Sequence, residues 1–295
     1  AGRFAPSPSG ELHVGNLRTA MLAWLFARST GRRFLMRVED LDRARAGAEA
    51  VQLRDLAAIG LDWDGGVVRQ TDREHLYTAA IERLTAAGLT YECFCTRREI
   101  QEAPSAPHAP QGAYPGTCRN LGEAERASRR AVRPSAVRLR AAVPEATVQD
   151  VLHGSFTGVV DDFVLRRNDG VTAYNLAVVV DDAAQGVDQV VRGDDLLPST
   201  PRQAYLASLL DIPVPEYAHV PLVVNADGAR LAKRDGAVTL ADLAAVGVPV
   251  DEVRGALLES LGLPAGPLTA ALRVFDPAGL PREPWVWPGM VGPGA

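Results

Sequence analysis

In the first ninety residues, segments with the apolar pattern of a buried strand alternate with segments with the apolar period of a helix. The apolar run at 33–38 predicts a buried strand, and a shorter apolar stretch at the first residues predicts another. Three segments have apolar residues at helical spacing, and each ends within two residues of a glycine: 17–29, 49–59 and 74–87. This alternation predicts an α/β fold with a parallel, doubly wound sheet.

A different pattern begins at residue 89 and continues to about residue 170. Four short segments there have strand character, and the stretch 102–116 is rich in Pro, Ala and Gly and has little periodicity. The strand-like segments are 90–95, 136–142, 148–152 and 159–166. We therefore expect a mostly β insertion that interrupts the α/β pattern.

The α/β pattern resumes near Tyr174. Further periodic segments follow: strands at 187–193 and 219–224, a helix at 200–210 and a helical period at 240–263. The Pro- and Gly-rich end, 281–295, predicts poor order. The chain thus divides into four predicted units: 1–88 as the first half of the sheet domain, 89–170 as the insertion, 171–239 as the second half, and 240–295 as a helical tail.

Composition narrows the class of protein without identifying it. The chain has 295 residues, of which 47% are apolar and 23% charged, as is usual for a soluble globular protein. A net charge of −5 excludes a general basic coat for nucleic acid, although a local basic face is compatible with it. No apolar run approaches membrane-spanning length and no signal peptide opens the chain, so we expect a cytoplasmic, monomeric enzyme.

The first sixteen residues predict a strand, a tight turn and the N-terminus of a helix. Arg3 and Phe4 precede a Pro-Ser-Pro-Ser-Gly turn, and His13 stands just before the first helical period. A helix N-terminus binds anions because its free N–H groups and its dipole point at one place, and an imidazole beside it can donate to a phosphate. The alternative is a capped helix with a solvent-facing histidine.

A basic loop, 230–236, follows the last predicted strand and is the second candidate anion site. Lys233 is the only lysine in the chain, which otherwise uses arginine for its basic side chains. A compact ammonium kept at one position indicates a need that a guanidinium does not meet. The alternative is an ordinary solvated loop.

Two motifs carry a resemblance to a known family. The string P-S-P-S-G-x-L-H-V-G-N at 6–16 resembles the HIGH signature of class I aminoacyl-tRNA synthetases, in the form used by the glutamate and glutamine branch. The loop 230–236 resembles the KMSKS loop of that class, with Lys233 at the second lysine. It departs from the KMSKS pattern at Arg230, which replaces the first lysine, and at Ala232, which replaces the serine.

The resemblance implies a Rossmann-type core and a defined reaction. A substrate carboxylate attacks the α-phosphate of ATP and pyrophosphate leaves, with Mg²⁺ bridging phosphate oxygens. The carboxylate is already ionised at neutral pH, so the protein supplies position and charge stabilisation rather than a base. The residues implied for ATP are His13, Gly15, Asn16 and Lys233, of which His13 and Lys233 are catalytic.

Charged residues at predicted strand ends indicate an amino-acid pocket. Arg3, Glu39 and Arg192 each end or lie on such a strand, although each alone is compatible with a surface charge. A carboxylate suits an α-ammonium, and two guanidinium groups suit the two carboxylates of glutamate. The resemblance to glutamyl-tRNA synthetases implies a set of glutamate-binding residues: Arg3, Ala5, Ser7, Glu39, Tyr174 and Arg192.

The three cysteines of the chain, Cys93, Cys95 and Cys118, border the stretch of low periodicity. They favour a structural zinc site over a disulfide framework, with buried free thiols as the alternative. A tetrahedral site needs a fourth ligand, and His108 is the usual chemical choice. The spacing C-x-C…Y-x-x-x-C resembles that of glutamyl-Q tRNA(Asp) synthetases, which implies Tyr114 instead.

In two features the sequence resembles glutamyl-Q tRNA(Asp) synthetases, which are shorter than glutamyl-tRNA synthetases, more than it resembles the tRNA-charging enzymes. The chain after residue 239 is too short for an anticodon-binding region, and Val178 occupies a position where charging enzymes have asparagine. The implied partners are ATP, L-glutamate and tRNA(Asp) carrying queuosine. The alternatives are a minimal glutamyl-tRNA synthetase charging the 3′ end of tRNA(Glu), an inactive tRNA-binding paralogue and, more distantly, a nucleotidyltransferase.

Overall fold

A computed structural model describes residues 1–102, 114–231 and 238–290. The helices are α1 (Val14–Ser29), α2 (Ala48–Ala58), α3 (Glu74–Ala86), α4 (Arg97–Glu102), α5 (Glu123–Arg130), α6 (Tyr174–Ala184), α7 (Thr200–Leu209), α8 (Leu240–Ala245), α9 (Val250–Glu259) and α10 (Leu268–Leu272). The strands are β1 (Gly2–Phe4), β2 (Phe34–Val38), β3 (Val68–Arg69), β4 (Thr90–Cys93), β5 (Ala136–Leu139), β6 (Glu145–Asp150), β7 (Gly154–Val159), β8 (Val164–Arg166), β9 (Gln189–Gly193), β10 (Glu216–Val220), β11 (Val223–Val224) and β12 (Trp285–Val286).

The central strands follow the order of a doubly wound sheet. Strands β1, β2 and β3 pair in parallel, as do β9, β10 and β6, while β7 runs antiparallel to β6. The first set of strands, β1 to β3, adjoins the second set, β9, β10 and β6, beside β1. There the backbone N–H groups of Asp188 and Gln189 donate to the Ala1 carbonyl. The direction of the crossovers therefore reverses between β1 and β9, which is where open α/β sheets bind ligands. The predicted α/β fold with a parallel, doubly wound sheet is therefore found in the structure.

Helices pack on both sides of this sheet. Helix α1 is buried almost all round, with Leu17, Met21 and Leu25 fully inaccessible, and it packs against β1 and β9. The alternate residues Ala218 and Val220 of β10 belong to the same apolar cluster as α1. Because successive strand residues point to opposite faces, the intervening residues of β10 face the other side, where α7 lies against β6.

The region between β4 and β8 differs from the expected insertion. Strands β4, β5 and β8 form a small antiparallel sheet, and α4 and α5 belong to the same region. Strands β6 and β7 extend the central sheet instead. The expected single strand at 159–166 is wrong: β7 ends at Val159, residues 160–163 belong to no regular element, and β8 begins at Val164. The division into four units stays a prediction.

The C-terminal part packs on the core. The helical period at 240–263 is divided into α8 and α9 because Gly247 has a φ of +82° and Pro249 follows it. Arg18 of α1 donates to the Ser260 hydroxyl at 2.9 Å and to the Pro221 carbonyl at 2.9 Å, which ties this region to α1. The expectation of poor order from residue 281 is wrong for β12, which pairs with β11. Among the described helices, none has the length and apolar character needed to cross a bilayer.

Candidate active site

His13 ends the loop that follows β1 and caps the N-terminus of α1. Its Nδ1 accepts the backbone N–H of Asn16 at 3.3 Å, and the Asn16 side-chain oxygen accepts the N–H of His13 at 3.2 Å. Because Nδ1 is an acceptor, the ring proton lies on Nε2, which is left to donate. Burial, reinforced by the charge of Arg230, lowers the pKa of His13 to about 4. The imidazole is therefore a neutral N–H donor beside the helix N-terminus.

Gly15 leaves room for the His13 ring. A Cβ at position 15 would lie 3.0 Å from two ring atoms of His13 and 3.3 Å from the Val223 Cβ. A side chain there would therefore shift the imidazole by a few tenths of an ångström. The structural role of this glycine is the placement of His13.

The segment that carries Lys233 starts and ends beside His13. Before it, Arg230 bridges to Val224 and donates to the Asp195 carboxylate at 3.0 Å. After it, Val238 accepts the N–H of Val14 at 2.8 Å, and the following residue forms an antiparallel bridge with His13. Lys233 and Ala232 lie outside the described residues, but the chain enters and leaves their segment at the N-terminus of α1.

The turn after β1 is held against the end of β2. The Pro6 carbonyl accepts the N–H of Glu39 at 3.0 Å, so Ala5 and Ser7 flank the residue that contacts the Glu39 backbone. The Gln52 amide donates to the carbonyls of Ser7 and Gly10 at 3.0 and 2.6 Å. Three of the sequence-predicted residues are therefore close together at the ends of two adjacent strands.

Beneath this turn lies a buried group of charges that includes Arg3. The Arg3 Nε donates to Asp182 at 3.2 Å, and the fully buried Arg37 shares that carboxylate at 2.7 Å. Arg37 also lies 3.7 Å from Asp181 and 3.5 Å from Glu39. Burial raises the pKa of Glu39, although Arg37 and Arg3 oppose the rise. These contacts join Arg3 and Glu39 through two residues, Arg37 and Asp182.

Arg192 is held differently from Arg3. Its guanidinium donates to Nε2 of His219 at 3.0 Å, to the Tyr174 hydroxyl at 3.1 Å and to the Thr200 hydroxyl at 2.9 Å. It is 5% exposed, yet no carboxylate of the described chain forms an ion pair with it. Arg3 approaches the residue before it, donating to the Val191 carbonyl at 3.4 Å. The structure thus brings Arg3, Arg192 and Tyr174 to one place at the sheet.

Several residues of this site were not found from the sequence. Arg37, Asp150, Thr200, His219 and the acidic pair at 181–182 have no role assigned by the sequence patterns. A usable signal existed for Arg37, because an arginine inside a buried apolar run needs an acidic partner. The sequence contains no comparable signal for Asp150 or His219.

The three cysteines and Tyr114 form a compact cluster. The three sulfur atoms lie within 4.8 Å of one another, and the Sγ atoms of Cys95 and Cys118 are 3.6 Å apart. The Tyr114 hydroxyl lies 3.3 Å from Sγ of Cys93 and 3.6 Å from Sγ of Cys95. Four ligands around a tetrahedral zinc would be separated by about 3.8 Å for two sulfurs and about 3.5 Å for sulfur and oxygen. The described residues therefore fit a metal ion, and His108 lies outside them.

The surroundings of the cluster favour an anion at Cys118. The Phe94 N–H donates to Sγ of Cys118 at 3.5 Å, and the Arg129 guanidinium donates to it at 3.7 Å. Burial would raise the pKa of the Cys118 thiol, but the hydrogen bonds from Phe94 and Tyr114 bring it below its usual value. The Arg138 guanidinium lies over the Tyr114 ring, 3.7 Å from its centroid. Burial raises the pKa of the Cys95 thiol to about 11 and also raises the pKa of the Tyr114 hydroxyl, so these two groups are neutral unless a cation is bound.

Comparison with known proteins assigns the chain to a family. Residues 1–266 match the family model of class I tRNA synthetases for glutamate and glutamine, catalytic domain. The fold is similar to that of a glutamate tRNA ligase from Elizabethkingia meningosepticum, with a TM-score of 0.81 and 26% identity over 95% of this chain. This chain spans 65% of that ligase. The fold and the site therefore define a ligase of the class I aminoacyl-tRNA synthetase type.

Closer relatives narrow the class. The chain is 69% identical to "Glutamyl-Q tRNA(Asp) synthetase" of Nocardia farcinica over 97% of this chain and 92% of the relative. It is 55% identical to the protein of the same name from Cutibacterium acnes over 90% of this chain and 76% of the relative. The chain belongs to the glutamyl-Q tRNA(Asp) synthetase family.

Proposed function

We propose that the protein activates L-glutamate with ATP in the absence of tRNA and then transfers the glutamyl group to queuosine in the anticodon loop of tRNA(Asp). The carrying observation is the buried guanidinium of Arg192, which lies near Arg3 and has no carboxylate partner among the described residues. An unpaired buried cation needs an anion, and a substrate carboxylate meets that need. The names of the close relatives support the same activity.

In the first step, a glutamate carboxylate oxygen attacks the α-phosphate of ATP, and the bond to pyrophosphate breaks. His13 donates its Nε2–H to the phosphates, Lys233 neutralises charge on the departing pyrophosphate, and Gly15 and Asn16 support the position of His13. Mg²⁺ bound together with ATP would supply further positive charge at the phosphates. No side chain needs to act as a base because the attacking carboxylate is ionised.

The glutamate is recognised by charge. Glu39 receives the α-ammonium, and Arg3 and Arg192 receive the two carboxylates, with Ala5, Ser7 and Tyr174 completing the pocket. Glutamine in place of glutamate would leave a buried guanidinium poorly paired, at a cost of about 1.5–3 kcal/mol. That cost corresponds to a preference for glutamate of roughly 10- to 150-fold.

In the second step, a ring hydroxyl of queuosine attacks the carbonyl of the glutamyl-adenylate, an ester forms and AMP leaves. The relatives named for this reaction favour it over charging of the 3′ end of tRNA(Glu). The His13 cap of α1 and the charged pocket around Arg192 argue against an inactive paralogue. A protein without activity would not need a buried guanidinium that lacks a carboxylate partner.

We also propose that Cys93, Cys95, Cys118 and Tyr114 hold a structural zinc ion, which would cross-link β4 to the chain before α5. The four units 1–88, 89–170, 171–239 and 240–295 remain the expected organisation, with the second as the zinc-containing insertion. We expect a monomer in the cytoplasm, where ATP and tRNA are available.

The test is ATP–pyrophosphate exchange measured with glutamate, with glutamine and with no amino acid, each with and without tRNA. We expect exchange that depends on glutamate and proceeds without tRNA. Exchange that requires tRNA would contradict tRNA-independent activation, and equal exchange with glutamine would contradict the assigned pocket.

A further inference from the structure

Arg192 is oriented by a chain of buried hydrogen bonds that starts at Asp150 on β6. His219 lies directly opposite Arg192 in the parallel register of β9 and β10. Nδ1 of His219 lies 2.7 Å from the Asp150 carboxylate, and its Nε2 lies 3.0 Å from the Nε of Arg192. His219 is fully buried and Asp150 is 4% exposed. Three adjacent strands thus supply one continuous hydrogen-bonded chain to the glutamate pocket.

The proton positions in this chain follow from its partners. Asp150 accepts the backbone N–H groups of Leu152, His153 and His219 at 2.9, 3.0 and 3.0 Å, so its carboxylate is an acceptor on every side. Nδ1 of His219 must therefore donate to it. Arg192 can only donate, so Nε2 of His219 must present its lone pair to Nε of Arg192. These two partners allow only the neutral tautomer with the proton on Nδ1.

These hydrogen bonds orient Arg192 without placing a negative charge directly against its guanidinium. Its partners His219, Tyr174 and Thr200 are all neutral acceptors, and the Asp150 carboxylate is linked to it only through the imidazole ring. By contrast, Arg3 donates directly to the Asp182 carboxylate. A direct carboxylate partner would orient Arg192 as well but would offset the charge that a substrate carboxylate needs.

We propose that His219 and Asp150 are positioning residues for glutamate binding: Asp150 fixes the tautomer of His219, and His219 orients Arg192 without neutralising it. This inference rests on the proposed role of Arg192 in binding glutamate. It goes beyond that role because it assigns a function to two residues that act through Arg192.

A pair of substitutions at one position separates the two functions of His219. His219→Gln places an amide oxygen near the position of Nε2 and keeps an acceptor for Arg192. His219→Asn reaches only the position of Nδ1, so it keeps the donor for Asp150 and loses the acceptor. His153→Gln is the control, because His153 contacts the His219 carbonyl at 3.1 Å but makes no contact with Arg192.

The readout is the KM for glutamate and the KM for ATP in pyrophosphate exchange, with melting temperature measured for each variant. We expect His219→Asn to raise the glutamate KM about 10- to 100-fold, the effect of losing a hydrogen bond to a charged group. The ATP KM should stay unchanged, and His219→Gln should recover most of the loss. A purely structural role predicts instead that both variants lose stability and that both KM values move together.

A second measurement addresses the tautomer directly. Nitrogen-15 spectra of histidine-labelled protein, assigned with the His219→Gln variant, should show a protonated Nδ1 and an unprotonated Nε2 at His219. A proton on Nε2 at neutral pH, or equal glutamate KM values in the Asn and Gln variants, would overturn the inference. Absence of glutamate-dependent exchange in the wild-type protein would instead refute the proposed function, and the spectrum would still decide the tautomer.

Discussion

The substitution Gly15→Ala should reduce catalysis without reducing stability. The added Cβ would lie 3.0 Å from Nδ1 and Cε1 of His13, whereas ordinary contacts begin near 3.4 Å. The ring must therefore move by about 0.4 Å, the difference between those two distances. The bond from the Asn16 N–H to Nδ1 is already 3.3 Å long, so a further shift breaks it. The Nε2 donor of His13 then leaves its position at the helix N-terminus.

The magnitude follows from two opposing effects. A misplacement of about 1 Å at a catalytic group can cost about 10²-fold, so a shift of this size should slow adenylate formation by roughly tenfold. Alanine in place of glycine inside a helix favours folding by about 0.5–1 kcal/mol, which offsets the loss of the cap hydrogen bond. We therefore expect slower exchange with an unchanged or slightly raised melting temperature.

The assay is glutamate-dependent pyrophosphate exchange beside thermal unfolding, with Gly10→Ala as the matched control. A Cβ at position 10 meets no atom within 4 Å, so that variant should keep wild-type exchange. Wild-type exchange in Gly15→Ala would refute the reasoning that the glycine exists to place His13. An equal loss in both variants would show that the effect is not specific to the imidazole.

Three further predictions address other parts of the account. Lys233→Ala should slow exchange by about 10²–10³-fold in a protein of unchanged melting temperature, and full activity would remove Lys233 from the mechanism. Purified protein should carry about one zinc per chain. Tyr114→Phe should lower the zinc content, and His108→Ala should leave it unchanged. The opposite result would make His108 the fourth ligand. The pKa of His13, lowered from 6.5 to about 4 in the folded protein, means that its contribution to the free energy of unfolding is complete above pH 6.5 and declines as pH falls towards 4. NMR titration of His13 through the neutral range would contradict that value.

Local periodicity predicted those elements whose ends are marked by the sequence. Helix α3 begins at the predicted residue and ends one residue early, because the following glycine stops it. The strand predicted at 159–166 was wrong because residues 160–163, which separate β7 from β8, contain no glycine or proline to mark the break. Strands β6 and β7 were predicted as part of an insertion, since pairing partners are not determined by the period of a single strand.

The sequence predicted only those site residues that lie in a recognisable motif. Sequence motifs place Arg3 and Arg192 on predicted strands and His13 at the start of the first predicted helix. Asp150 and His219 were not predicted, because they are 69 residues apart and meet only through the pairing of β6 with β10. The charge pocket likewise depends on register, since Arg3 and Asp182 are separated by 179 residues.

The most direct test of the central claim is the destination of the glutamyl group. Labelled glutamate, ATP and the protein are incubated with tRNA(Asp) carrying queuosine and, separately, with tRNA(Asp) carrying guanosine at that position. RNase digestion then maps the label to a fragment. The account predicts label on the anticodon-loop fragment of the queuosine-containing tRNA and none on the other. Label on the 3′-terminal adenosine, or equal transfer to both tRNAs, would contradict it.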